Sequence, residues 1–406
     1  MDNKLFIIGV GPGDPRQLTQ AAREVISSCR CVVAAARHRA LAEKHDHVLP
    51  LAGFDETFGR IDAELKLGSV AVLVSGDPGV YSLLPLLKKR FAGRPLEVLP
   101  GISSLQSLCA AAGTSWIDAA ILSGHGRDIS DVLILDTVDQ RPKTIFFCGP
   151  EKGPRWLCSL LARKRLNHVR ITVGERLSYG DQRISSGSPV ELAQKDYESL
   201  SLVLAENETP WEKPRGRPRD EDFIRGDVPM TRETVRSAVL DSLRLEEDSV
   251  LWDIGAGTGS VTVAAALFCS LGEVHAVERN PLALGLIKDN IRKFHLHNVH
   301  VYEGNAAEKI AELPLPTRVY IGGSGDELQR LLEFISRLGG GVRVVVPAVA
   351  LKTLSKAAEI LSGPSFSGFE ALQVSVSRSK KVGNTLIMGA ENPVTLFSAV
   401  TLRQGQ

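Results

Sequence analysis

The sequence predicts an α/β protein of parallel sheets covered by helices, arranged as two small lobes, a connector and a third, larger sheet. Three observations carry this prediction. Along most of the 406 residues, β-rich apolar runs alternate with glycine turns and amphipathic stretches, the pattern that a parallel sheet with helical crossovers requires. Between Glu206 and Asp222 the alternation stops and three prolines with alternating charges replace it; a segment of that composition cannot bury a core. The alternation then resumes, and a chain of 406 residues is better filled by two or three cores than by one.

In order, the first strand, turn and helix signals are KLFIIGVGPGD then PRQLTQAAREVISS, SVAVLVSGDPGV then YSLLPLLKKRF, and PLEVLPGISS then LQSLCAAAG. A second group begins near Ala119 with DAAILSGHGRD, KTIFFCGPEKG, VRITVGERLS and LSLVLAE. These mark a first domain over residues 1–205 with lobes of about 1–115 and 116–205, a linker over 206–222, and a second domain over 223–406. There, Thr231 stands as an N-cap before RETVRSAVLDSL, its hydroxyl able to accept an orphan N–H of the first turn. SVLWDIGAGTGS, GEVHAVERN, VHVYEGNAA, RVYIGGSGD and GGVRVVVPA continue the alternation. FEALQVSVSRS and NTLIMGAENPVTLFSAV are expected to close the chain as an antiparallel hairpin at a sheet edge.

Lysine and arginine number 48 against 47 acidic residues, so the basic excess that holds polyanions is missing and a nucleic-acid protein is disfavoured. Pro214-Arg215-Gly216-Arg217-Pro218 has the form of a minor-groove hook. It stands alone, however, and Asp220, Glu221 and Asp222 follow it, so it reads as a stiff, solvated linker. No apolar run approaches the roughly 18 residues of a membrane span. The start, MDNKLFIIGVGPGD, lacks a basic leader and reads as the first strand of a cytoplasmic protein. Cys29, Cys31, Cys109, Cys148, Cys158 and Cys269 contain no Cys-x-x-Cys pair and are expected as reduced, buried thiols. Neither His45 and His47 nor His295, His297 and His300 have a cysteine or carboxylate cluster beside them in sequence, so no metal is expected.

VLWDIGAGTGSV sets Asp253 at a strand end, Gly255, Gly257 and Gly259 in the turn, and a helix directly after. A tight turn that a ligand must approach leaves no room for a Cβ, so the loop is read as holding a nucleotide-like cofactor. A dinucleotide site wants glycine where Ser260 stands, which disfavours a nicotinamide oxidoreductase. The Gly-x-Gly-x-Gly spacing after an acid resembles motif one of the class I S-adenosylmethionine methyltransferases. That resemblance implies a Rossmann-like domain with a seven-stranded sheet, with cofactor contacts at Gly255, Ala256, Gly257, Thr258 and Gly259. It also implies ribose hydroxyls on Glu278, adenine beside Asn305 and Ala306, and a further contact at Thr231.

In the first half, Pro12 breaks the Rossmann pattern of IIGVGPGDP. GVGPGD (9–14), SGDPGVYS (75–82) and PGISSLQSLCAAAG (100–113), in this order and spacing, resemble the tetrapyrrole methylase family. That family is a class III methyltransferase fold of two αβα lobes, with S-adenosylmethionine folded in the cleft between them. The resemblance implies cofactor contacts at Pro12, Gly76, Asp77, Val80, Ser103 and Ser104, with Asp14 and the stretch AARH (35–38), including Arg37 and His38, facing substrate. Some members carry a carboxylate near that stretch where this chain has Ala36, so no carboxylate base is implied there. ERLSYGDQRI (175–184) matches a further family stretch.

The two halves together resemble the fused, decarboxylating precorrin methyltransferases of cobalamin biosynthesis. The likeness extends through FIRGDVPMTRETVR (223–236), GGSGDELQRLL (322–332) and NPVTLF (392–397). It implies methylation of a reduced tetrapyrrole at carbon 5 by the first domain and carbon 15 by the second, with loss of carbon dioxide from the ring C acetate. One S-adenosylmethionine site per domain and no metal are implied, together with a homo-oligomer, a tetramer through the second domain. The resemblance makes one of Arg225, Arg232 and Arg236 a partner of a substrate carboxylate, the others being surface charge, because a guanidinium fork binds carboxylate in two places. Ser324 in GGSGD is placed near the ring, and no residue is assigned to decarboxylation. The rival readings are a nucleic-acid methyltransferase that uses only the second domain, and a first domain that merely presents substrate.

Overall fold

Five strands, β1 (Leu5–Gly9), β2 (Cys31–Ala34), β3 (Val48–Pro50), β4 (Val70–Val74) and β5 (Leu96–Leu99), form a parallel sheet in the order β3-β2-β4-β1-β5. Leu5, Ile7, Val33, Val70 and Val72 pack with Phe58, Ile61 and Leu65 of the helix Phe54–Leu65. Ile8, Val32, Ala71 and Leu73 pack on the other face with Ala22 and Ile26 of the helix Gln20–Ser28. Covered on both faces, the inner strands β1, β2 and β4 are apolar at every position, which is why they stand out as unbroken runs. The computed structural model describes residues 3–126, 128–214 and 216–403, so Arg215 of the basic hook lies outside the described residues. The chain divides into two compact units, Met1–Pro210 and Trp211–Gln406.

The first unit holds a second sheet of β6 (Ala119–Ser123), β7 (Lys143–Phe147), β8 (Arg170–Glu175), β9 (Arg183–Gly187) and β10 (Ser201–Glu206), in the order β6-β7-β10-β8-β9. Here the expectation of a mostly parallel lobe is corrected. Only β6 and β7 run parallel, whereas β10 is antiparallel to both β7 and β8, and β9 to β8. No helix separates β8 from β9, and a short loop can only return the chain antiparallel. The loop between them carries Tyr179, whose ring leaves no room for a Cβ on Gly13, and Ser178, whose hydroxyl donates to Gln17 Oε1 at 3.1 Å. The two lobes therefore meet at the first glycine turn.

The second unit contains β11 (Val250–Ile254), β12 (Glu273–Glu278), β13 (Val299–Glu303), β14 (Arg318–Ile321), β15 (Arg343–Ala348), β16 (Phe366–Val374), β17 (Ser377–Val382), β18 (Thr385–Ala390) and β19 (Val394–Thr401). Seven of them form one sheet, β13-β12-β11-β14-β15-β19-β16, parallel from β11 to β15 and antiparallel at β19 and β16. The two closing runs each divide: β16 pairs with β19, while β17 and β18 pair with each other in a separate hairpin. Leu386, Ile387 and Met388 of that hairpin are exposed. One face of the large sheet packs on the helices Glu233–Leu243 and Ser260–Phe268 through Leu251, Val274, Tyr320 and Val345. The other packs on Leu328–Ser336 and Leu351–Leu361 through Ile254, Val319, Ile321 and Val344.

Two expectations about the connector are overturned. It is not solvated to its end: Asn207 is buried and its amide donates to the Val138 and Asp139 carbonyls at 3.1 and 3.0 Å, and Pro218 and Asp220 are buried as well. Nor is Thr231 the cap of the helix Glu233–Leu243. The N-cap is Arg232, with no side-chain cap of its own, and the Glu233 N–H donates to Asp220 Oδ1 at 2.9 Å. A carboxylate at a helix N-terminus interacts favourably with the helix dipole, and this one arrives from the connector. All six cysteines are buried free thiols, and no helix among the described residues is long and apolar enough to cross a membrane.

Candidate cofactor sites

In the first unit three turns converge where β1, β4 and β5 end, the carboxyl edge at which open α/β sheets bind ligands. Gly11 and Gly76 exchange backbone hydrogen bonds of 3.2 and 2.9 Å. Asp77 accepts from the Gly79 N–H at 2.7 Å and the Gly101 N–H at 3.1 Å, so one carboxylate ties the second turn to the third. A Cβ on Gly101 would stand 2.6 Å from the Gly9 carbonyl, so backbone packs on backbone there. Ser103 caps the helix Ser104–Ala112 through a capping box with Gln106, and Ser104 N lies 3.8 Å from where a Cβ on Gly76 would stand. Val80 packs its side chain toward the core of Leu105 and Leu108. Pro12 is half-buried at the turn.

The residues expected to face substrate are less open than the sequence implies. Asp14 is held by Arg16, whose guanidinium reaches it at 2.7 Å and keeps its carboxyl below the usual range. The His38 ring is buried and within 2.7 Å of Ser75 Oγ, and Arg37 Nη2 donates to the same oxygen at 2.6 Å. Burial, with the Arg37 charge adding to it, pushes the His38 pKa down to about 4, so the imidazole is neutral at physiological pH. The stretch that the resemblance turns toward substrate thus holds His38 as a buried ring. Its connection is to Ser75, the residue before the second glycine turn, and a sequence search for reactive groups does not single out that serine. Ala36 is exposed beside this pair.

Histidine and cysteine also meet across β2 and β3. Cys31, His47 and Glu64 bring their ligand atoms within 4.8 Å of one another, although no cysteine stands near His47 in sequence. Glu64 is already paired with His47 at 2.9 Å and Arg30 at 3.2 Å, and burial pushes the Cys31 thiol up to about 11. These contacts are those of an ion-paired carboxylate beside an inert thiol. In the second unit His295 stacks on Trp211, with ring centroids 5.1 Å apart.

The second unit's glycine loop follows β11. Gly255 has φ +70°, and a Cβ there would stand 2.7 Å from Gly323 Cα and N and closer still to its carbonyl oxygen, so the loop after β11 lies directly on the loop after β14. The Gly255 and Ala256 N–H groups donate to the Val277 carbonyl, at 2.9 and 3.2 Å. Glu278, at the end of β12, accepts from Gly257 N–H through Oε2 at 2.8 Å and from Arg279 and Asn280 N–H through Oε1 at 2.8 and 2.9 Å. The carboxylate is thereby aimed at the glycine loop, and a carboxylate has acceptor capacity beyond these bonds for a diol. Asn305 caps the short helix Ala306–Lys309, which begins at Ala306 beside β13. Thr258 and Asp253 are buried, and Thr258 Oγ1 and Asp253 Oδ1 have no hydrogen-bond partner among the described residues. A glycine loop too tight for Cβ atoms, a fixed acid on the next strand and a small helix start on the third fit a nucleoside cofactor such as S-adenosylmethionine.

Arg225, Arg232 and Arg236 converge on one residue, Asp220. Arg225 Nε donates to its carbonyl at 2.7 Å, Arg232 Nη1 lies 3.8 Å from Oδ2, and Arg236 Nη1 donates to Oδ1 at 3.1 Å. Arg236 is 2% exposed, spends further bonds of 2.8 and 2.7 Å on the Thr231 and Pro218 carbonyls, and lies 4.7 Å over the Phe223 ring. It is a structural anchor, its guanidinium engaged by Asp220 and the two carbonyls rather than free for a substrate carboxylate. Arg225 and Arg232 remain exposed, and Ser324 lies half-buried in the loop that meets Gly255. Of the hook, Arg217 is paired with Asp241 at 2.7 Å.

Burial raises the Asp253 carboxyl to about 7, the Glu278 charge adds to this, and a 2.5 Å hydrogen bond from Thr262 opposes it. The ordinary value is 3.8, so between those limits the folded domain holds the proton that the unfolded chain has released. This contribution to stability is full below the lower limit and is lost as pH rises through the upper one, on the order of 4 kcal/mol at most. Asp253→Asn should flatten the fall. Denaturant unfolding at about pH 5 and about pH 8 checks it, and an unchanged difference between the two conditions in the variant would contradict it.

A family profile described as "Precorrin methyltransferase domain" matches residues 222–401, and one described as "Tetrapyrrole (Corrin/Porphyrin) Methylases" matches residues 4–193. The chain is 27% identical over 404 residues to a precorrin-6Y C(5,15)-methyltransferase [decarboxylating] from Sinorhizobium sp, covering 97% of this chain and 95% of that one. It is 36% identical over 184 residues to a probable cobalt-precorrin-6B C(15)-methyltransferase (decarboxylating) from Pyrobaculum aerophilum, covering 44% of this chain and 93% of that one. Among solved structures, a precorrin-6y C5,15-methyltransferase from Geobacter metallireducens is 38% identical, with a TM-score of 0.43 over 45% of this chain and 96% of that one.

Proposed function

The chain belongs to the decarboxylating precorrin methyltransferase family, with a tetrapyrrole methylase domain ahead of the precorrin methyltransferase domain, and from that premise we propose that it converts precorrin-6Y to precorrin-8. In this reading residues 1–205 methylate carbon 5, while residues 223–406 methylate carbon 15 and release carbon dioxide from the ring C acetate. The observation that carries the reading is the presence in one chain of two separately built glycine-turn cradles, each at the carboxyl edge of parallel strands.

Methyltransferases of these families use S-adenosylmethionine, and we assign one site to each domain. When bound it supplies an electrophilic methyl group on a positively charged sulfur. The protein's part is chiefly alignment, which can supply several kcal/mol, about 7 or more in favourable cases. In the first domain Pro12, Gly76, Asp77, Ser103 and Ser104 would form the cofactor wall, with Val80 offering its backbone, because Asp77 and the Ser103 capping box fix the three turns against each other. In the second, Gly255, Ala256, Gly257, Thr258 and Gly259 would face the cofactor, Glu278 would accept the ribose hydroxyls, and Thr231 and Ala306 would flank it. Asp14 and Arg37 would meet substrate in the first domain, and the exposed Arg225 and Arg232, with Ser324, in the second. Exposed Leu386 and Met388 on the β17–β18 hairpin, and β16 as an open sheet edge, support self-association through the second domain.

The test is mass analysis of precorrin-6Y after reaction with labelled S-adenosylmethionine, using the whole chain and the halves separated between Pro210 and Trp211, with light scattering on the same samples. Two added methyl groups and one lost carbon dioxide are expected from the whole chain, and the carbon dioxide loss should follow the second half. An intact substrate returned unchanged would refute the assignment, and monomers throughout would refute the self-association.

A further inference from the structure

Residues 223–231 run from the connector to the helix Glu233–Leu243 and are tied to the glycine loop at both ends. At the start, Asn290 of the helix Pro281–Lys293 is 0% exposed. Its Oδ1 accepts from the Ile224 N–H at 2.8 Å, and its Nδ2 donates to the Ile224 carbonyl at 3.1 Å and to the Thr258 carbonyl at 3.0 Å. One buried amide thus joins this strap to the glycine loop. At the far end, the Thr231 carbonyl accepts from Arg236 at 2.8 Å and from the hydroxyl of Ser260, the first residue of the helix after the loop, at 3.4 Å. Between the ends, the Pro229 carbonyl lies 3.4 Å from where a Cβ on Gly257 would stand.

An amide that bonds two unconnected backbone segments fixes the gap between them to within hydrogen-bond tolerance. Its loss would leave the Ile224 N–H and the Thr258 carbonyl seeking other partners. The gap it fixes is the width of a cradle whose floor is the glycine loop. We propose that Asn290 is a positioning residue for cofactor binding in the second domain, clamping residues 223–231 over residues 255–259 as the outer wall of the site. The proposal rests on the cofactor reading given above. Asn290 acts through the strap and takes no part in the chemistry. Its loss should weaken cofactor binding equally in ground and transition states, raising KM for S-adenosylmethionine with little change in kcat.

Calorimetric titration of the full chain with S-adenosylmethionine tests this, because the first domain's site serves as an internal control. The wild-type chain should show two binding events. Asn290→Ala should weaken one of them tenfold or more and leave the other within twofold, with the same KM-against-kcat split in carbon-15 methyl transfer. If Asn290→Ala loses the second domain's thermal transition, Ile224→Pro decides. It removes the N–H that Asn290 accepts, on a surface residue preceded by Phe223 at φ −88° and ψ 143°, a conformation that suits the residue before proline. It should weaken the same event by at least threefold. Two unchanged events in a folded variant would overturn the clamp. A wild-type chain with no second event would overturn the cofactor reading, and the clamp with it.

Discussion

Gly255→Ala in the full chain should reduce carbon dioxide release by 100-fold or more while leaving cofactor binding in the first domain intact. Two costs combine at this position. A non-glycine residue at φ +70° is strained by roughly 1–2 kcal/mol. The added Cβ would also stand 2.7 Å from Gly323 Cα and N and closer still to its carbonyl oxygen, contacts that no side-chain rotation relieves. The loop after β11 or the loop after β14 must move, and both border the proposed site. A hundredfold loss in kcat/KM corresponds to about 2.7 kcal/mol, within reach of those two terms. The counterpart in the first domain is Gly101→Ala, which presses on the Gly9 and Gly76 backbones and should spare carbon dioxide release. Product masses from the two variants check the division of labour. Undiminished release by folded Gly255→Ala would contradict the placement of decarboxylation in the second domain.

The glycine turns were legible in the sequence because their constraint is local: a strand end, a turn without Cβ atoms and a helix start lie within a dozen consecutive residues. The same holds for the parallel runs of β1 and β4, apolar throughout because both sheet faces are covered. What escaped was non-local. Thr231 has the residue type of a cap, but the acceptor that reaches Glu233 belongs to Asp220, 13 residues earlier. Arg236 has the spacing of an exposed helical charge, yet a carboxylate and a carbonyl from the connector, together with the Thr231 carbonyl, draw it inward. Asn290 is a polar residue on an amphipathic helix, and nothing local distinguishes it from a solvated one. His38 was legible as a reactive type and not as a buried one, because Ser75 comes from the end of β4. Sheet polarity in the second lobe failed for a related reason. Alternation of runs and turns shows that strands exist, while direction depends on whether a helix intervenes, and none does between β8 and β9.

Arg236→Ala should lower the second domain's thermal midpoint by roughly 6–12 °C without moving the first domain's transition. Removing one member of a buried ion pair leaves the other desolvated and unpaired, typically at 3–5 kcal/mol. Here the lower end applies, about 3 kcal/mol, because the Asp220 side chain retains 13% exposure and Arg232 remains 3.8 Å from it. The connector carries the other half of the latch, so a fragment starting at Trp211 keeps it and one starting at Phe223 does not. The shorter fragment should therefore show a similar loss of stability, its Arg236 now lacking both Asp220 and the Pro218 carbonyl. Within that fragment Arg236→Ala should cost little more, because a double-mutant comparison of residues in contact is not additive. Equal midpoints for the two fragments would mean that the buried end of the connector contributes nothing, and that the boundary between linker and domain lies at Phe223, where the sequence alone sets it.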